Sequence, residues 1–156
     1  MCVPNFAMEG TGMYTAIVLT QESADRLKEV VENNLKLEGF EFQTPAGESL
    51  PHHVTLNLGS FNASLNDPEL LGKTARILVD KIWYNEDIGA CAAEALKLQS
   101  DLQKINCANK IPHITICLKP PAKPVSSNQL FENPLSCYIL QLNRTLVLDG
   151  IIQEVN

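Results

Sequence analysis

The sequence is poor in the residues that several large function classes need. It has only 12 Lys and Arg against 18 Asp and Glu, a net charge of −6 and a pI near 5.0. A protein that grips a long polyanion displaces counterions with many cations, so tight binding to long nucleic acid is disfavoured. The phosphate of a small ligand can still be held, because a local potential can differ from the net charge. No apolar run approaches the roughly 20 residues that span a bilayer, so no membrane role is expected. The N-terminal residues MCVPNFAMEG carry neither a basic region nor an apolar stretch and do not read as a secretory signal. With Cys2 after Met1, the glycine that myristoylation requires is missing. The five cysteines (Cys2, Cys91, Cys107, Cys117 and Cys137) are odd in number, scattered, and never spaced C-x-x-C. That pattern builds neither a disulfide framework nor a zinc ribbon, and it fits a reducing compartment such as the cytoplasm. G-x-S-x-G, the P-loop and G-x-G-x-x-G are absent as well.

What is present is ordinary globular material. Apolar residues make up 45% and charged residues 19% of 156 positions, the size of one domain. Residues 1–12 read as a flexible arm and 13–156 as a single α+β domain. Residues 13–19 (MYTAIVL) form a β-branched apolar run, a buried strand. Thr20 is a suitable cap for a helix over 21–37, in which Ala24, Leu27, Val31 and Leu35 recur at helical spacing before Gly39. Phe40 and Phe42 suggest a short strand ahead of a loop over 44–51. A strand follows over 54–58, then a loop over 62–72 with one helical turn at 68–71, and a strand over 74–84. Residues 88–105 are rich in alanine; a hairpin strand over 88–96 and a helical turn over 98–105 are expected. A strand over 113–118 leads into a loop over 119–128. Two closing strands, near 137–142 and 145–155, are divided at Asn143-Arg144 or kinked at Asp149-Gly150.

Within this pattern one four-residue phrase occurs twice. His53-Val54-Thr55-Leu56 and His113-Ile114-Thr115-Ile116 both read His-apolar-Thr-apolar, and each sits where a strand begins. Because side chains alternate along a strand, His53 and Thr55 share one face while Val54, Leu56 and Leu58 take the other. His113 and Thr115 pair likewise, opposite Ile114, Ile116 and Leu118. An imidazole can take or give a proton near neutral pH. A threonine hydroxyl about 7 Å further along the same face can hold a phosphate oxygen. Two such modules facing each other supply a base, an acid and two donors around one phosphorus. The chain has only three histidines, and a double occurrence by accident is expected on the order of once in several thousand chains of this length.

On these two motifs the sequence resembles the 2H (two-histidine) phosphoesterases, whose signature is a pair of H-Φ-[T/S]-Φ segments. The resemblance implies a bilobal α+β fold with two antiparallel sheets forming a central cleft and helices outside. It also implies metal-independent hydrolysis, without cofactor, of a 2′,3′-cyclic, 2′–5′ or cyclic (oligo)nucleotide phosphate. His53, Thr55, His113 and Thr115 are the expected catalytic set, and the symmetry of the motifs leaves base and acid unassigned. Tyr14 (as a stacking platform), Lys119 and Asn128 are candidate contacts for a small nucleotide or short oligonucleotide. His52 is expected to point away from His53, and Cys117 to share the face of His113 as a packing residue. No metal ligand set is expected, because adjacent histidines on a strand cannot converge on one ion. A non-catalytic module that binds a nucleotide or RNA end is the alternative. Oligomeric state and physiological substrate are not legible in the sequence.

Overall fold

The computed structural model describes residues 13–42 and 51–156. The expected arm over 1–12 and most of the loop over 44–51 lie outside them. Among the described residues, seven strands and two α-helices follow in chain order: β1 (Tyr14–Leu19), α1 (Gln21–Asn34), β2 (Glu41–Phe42), β3 (His53–Leu58), β4 (Thr74–Asn85), β5 (Ala90–Gln99), β6 (His113–Leu118), α2 (Ser127–Glu132) and β7 (Tyr138–Val155). Short 3₁₀ turns intervene, one of them at Pro68–Leu70 as expected.

The strands form one sheet in the order β2-β6-β3-β1-β7-β4-β5, and β6 also pairs with β5, so the sheet closes on itself. Every pairing is antiparallel. The fold is α+β as expected, but the strands join in a single barrel-like sheet. Its thinnest seam lies between the motif strands, where β3 and β6 share the one pair Val54↔Ile114.

The main core lies under α1. Leu27 and Val31 pack there with Ile17, Val54, Leu56, Ile77, Ile114 and Ile152, all essentially inaccessible. Thr20 caps α1 by accepting the Ser23 N–H at 3.2 Å. Ser23 Oγ in turn accepts the Asp149 N–H at 2.8 Å, and Arg26 donates to the Val147 carbonyl, which fastens the helix to β7. A smaller cluster of Trp83, Ala90, Ala92, Leu118 and Leu130 lies beneath α2.

Four expectations are corrected here. Helix α1 ends at Asn34 rather than 37: Leu35 is already extended, and the chain turns through Gly39 at φ +80°. The helical turn over 98–105 does not form. Strand β5 continues to Gln99 because Leu98 and Gln99 pair with Ile77 and Arg76, so cross-strand pairing decides the state of these residues. The two closing strands are one 18-residue strand. The expected break survives as a register shift, since the β4 ladder jumps from Val79↔Leu146 to Lys81↔Gln141. Finally, α2 occupies part of what read as loop and what followed it.

Candidate active site

The pair Val54↔Ile114 sets the geometry. An antiparallel ladder continued from that pair would set His53 opposite Thr115 and Thr55 opposite His113. Val54 and Ile114 are fully buried in the main core, so the four polar side chains occupy the other face of the sheet. In such a ladder, residues directly opposite have Cβ atoms about 5 Å apart.

Each imidazole is held differently. His113 Nδ1 lies 2.9 Å from the Ile111 carbonyl oxygen, and a carbonyl only accepts, so Nδ1 carries the proton. Its Nε2 is then the atom that exchanges a proton. Phe131 of α2 packs on the His113 ring at 4.9 Å between centroids, and also on Trp83 at 5.0 Å. The Trp83 indole donates to Glu94 at 3.0 Å, and Glu94 stands directly across β5–β6 from His113. His53 shares a hydrogen bond through Nε2 with Thr55 Oγ1 at 3.1 Å and another through Nδ1 with His52 Nδ1 at 3.0 Å. Thr115 Oγ1 lies 2.7 Å from the hydroxyl of Ser127, a fully buried residue at the start of α2.

His52 therefore does not point away. The strand starts only at His53, so alternation does not govern residue 52, and its ring stands edge-on to His53 at 5.1 Å and 81°. Burial, then repulsion from His53 when that ring is charged, lowers the His52 imidazole from 6.5 to about 4. It is neutral at pH 7. In the unfolded chain it protonates near 6.5, so between pH 6.5 and 4 the unfolded state binds the additional proton. Stability is expected to fall as pH drops through that window and to level off below it. The ring is half exposed, so solvent screening leaves a loss of about 1 kcal/mol. Urea denaturation of wild type and His52→Asn at pH 7 and pH 4.5 isolates it; equal losses in both proteins would assign the pH dependence to other groups.

The candidate binding residues divide. Tyr14 lies beneath His53 at 4.9 Å between ring centroids and is 1% exposed, so it supports the imidazole and offers no platform to a base. Lys119 follows the far end of β6, four residues and about 13 Å beyond Thr115. Its aliphatic chain runs toward Gly39, where an added Cβ would meet its Cε at 3.3 Å. Asn128 is near: it donates to the Val125 carbonyl at 3.1 Å and, with Lys110, Ile111 and Phe131, lines a cavity of about 140 Å³ beside His113.

Cys117 leaves the histidine face. The β5–β6 register shifts between Cys91↔Cys117 and Ala92↔Thr115, a bulge that turns both Ile116 and Cys117 into the main core and sends Leu118 to the smaller cluster. A hydrogen bond with Cys117, reinforced by burial, raises the Cys91 thiol well above its ordinary range, so it is no nucleophile at neutral pH. Among the described residues no three His, Cys, Asp or Glu side chains gather in a way that could hold a metal ion. Nor is any helix among them long and apolar enough to cross a membrane.

Sequence reasoning missed Phe131, Glu94 and the contact made by His52. Phe131 and Glu94 carry no local signal, since one comes in on a helix and the other on a neighbouring strand, whereas His52 is visible beside His53 and only its orientation differs from expectation.

The family profile described as the fungal tRNA ligase phosphodiesterase domain matches residues 21–150, which include both motifs. Comparison with curated proteins finds no match. Among solved structures, a fungal RNA kinase crystal structure aligns with a TM-score of 0.53 and 21% identity, a likeness of fold. The alignment covers 91% of this chain but only 45% of that one.

Proposed function

The chain belongs to the fungal tRNA ligase phosphodiesterase domain family, which is of 2H type, and from that premise we propose that it hydrolyses a 2′,3′-cyclic phosphate at an RNA end, without a metal, by two-histidine acid–base catalysis. The observation that carries this reading is the antiparallel Val54↔Ile114 pairing, which makes the two His-x-Thr strands direct neighbours.

The phosphate sits across the two strands with Thr55 and Thr115 donating to its non-bridging oxygens. One imidazole takes a proton from water as the oxygen attacks phosphorus. The other gives its proton to the ribose oxygen whose P–O bond breaks, and a terminal monoester results. Proton transfer of this kind contributes about 10²–10⁴-fold to a rate. The Ser127 hydroxyl fixes the rotamer of Thr115, and the Ile111 carbonyl fixes the tautomer of His113. The acidic overall charge favours a short RNA end over a long duplex. The unpaired thiols of Cys91, Cys107, Cys117 and Cys137 suit a reducing cytoplasm.

The test is an RNA oligonucleotide ending in a 2′,3′-cyclic phosphate, incubated with protein in excess EDTA alongside cyclic mononucleotides, cyclic dinucleotides and 2′–5′ oligoadenylates. Ring opening of the RNA end, undiminished by EDTA, is expected. Saturable binding with no product would make the protein a recognition module, and loss of activity in EDTA would remove the metal-independent mechanism.

A further inference from the structure

Both histidines of the proposed pair must pass through the doubly protonated state, one at the start of the reaction and the other after it has taken a proton. An imidazolium presents two N–H groups. One faces the phosphate; the other, on a half-buried ring, costs free energy unless an acceptor meets it. For His113 the acceptor at Nδ1 is the Ile111 carbonyl, two residues upstream. For His53 the described partner at Nδ1 is a side chain, His52 Nδ1 at 3.0 Å, one residue upstream.

We propose that His52 is a positioning residue for His53: its Nδ1 lone pair accepts the His53 Nδ1–H, which fixes the ring and its tautomer, so that Nε2, held by Thr55 Oγ1 at 3.1 Å, addresses the phosphate once the bound substrate draws that hydroxyl away. This deepens the phosphodiesterase reading and rests on it. Two observations support the direction of the hydrogen bond. The His53 ring packs on the buried Tyr14 ring at 4.9 Å between centroids, which limits its rotation away from His52. His52 stays neutral through burial and its neighbour's charge, and a neutral imidazole keeps a lone pair to offer. The proton of neutral His52 then resides on its own Nε2. The same demand is thus met by a backbone carbonyl in one motif and by a side chain in the other.

Three variants and one spectrum test this. In His52→Ala, kcat on the cyclic-phosphate RNA is expected to fall about 10–100-fold with KM little changed, as for a misdirected catalytic group. In His52→Asn the amide oxygen can occupy the place of Nδ1, and kcat is expected within about threefold of wild type. In His52→Gln the amide lies one bond further out and the loss should resemble that of alanine. Ring ¹⁵N shifts of His53 in wild type should show a protonated Nδ1 and an unprotonated Nε2 in the neutral form, and a shift toward the Nε2–H tautomer in His52→Ala. Should His52→Ala fail to fold, the Asn and Gln variants decide the matter. Equal activity of those two, or a neutral His53 protonated on Nε2 in wild type, overturns the proposal. If wild type turns over no phosphodiester at all, the functional reading fails, while the ring shifts still report whether His52 accepts from His53.

Discussion

Turnover of a cyclic-phosphate RNA end is expected to fall about 10³-fold or more in either His53→Ala or His113→Ala, with melting temperatures within a few degrees of wild type. The two halves of that expectation have separate causes. The rate falls because one group must take a proton while the other gives one, and water replaces neither at the right place. The fold survives because the imidazoles stand on the face opposite the main core, whereas Val54 and Ile114, at 0% exposure, carry the packing. The double variant should be little worse than either single one, since two groups that act as a unit are not additive. Single-turnover kinetics and thermal melts on the three proteins check this. A variant that keeps a tenth of the wild-type rate would remove its histidine from the chemistry.

Gly150→Ala is expected to be the most damaging single methyl in the molecule, costing about 3 kcal/mol or preventing folding. Gly150 pairs with Leu19 where β7 runs beside β1. A Cβ there would come within 2.6 Å of Ile17 Cγ2 and 2.8 Å of the Val18 carbonyl oxygen. The second contact is backbone and cannot yield without pulling the two strands apart. Glycine inside a strand marks such close approach. Gly72→Ala makes a useful control: it sits at φ +84° with nothing within 4 Å, so it costs only the backbone penalty, about 1 kcal/mol. Chemical denaturation of both variants gives the comparison, and a Gly150→Ala protein no less stable than the Gly72→Ala protein would refute the close-approach account.

Gly150 also shows how differently local and long-range information are written in a chain. The pair Asp149-Gly150 suggests a kink, yet β7 runs straight through it, because the glycine serves its neighbour strand and not its own bending. The same holds at β5. The run Leu98-Gln99 carries no strand signal of its own, and pairing with Ile77 and Arg76 continues the strand through it. At β6 the alternation of His113, Ile114 and Thr115 is local and legible. The bulge that carries Cys117 into the core depends on how β5 pairs there, and nothing in the run Ile116-Cys117-Leu118 announces it.

By itself the sequence determined which four side chains could do the chemistry and which aliphatics back them, because the two-residue period of a strand is a property of the chain alone. Tertiary structure decided the rest. It paired Val54 with Ile114, brought Ser127 and Phe131 in on a helix, and turned Cys117 into the core. Those placements follow from ladder pairing, helix docking and a bulge, each a contact between residues far apart in sequence.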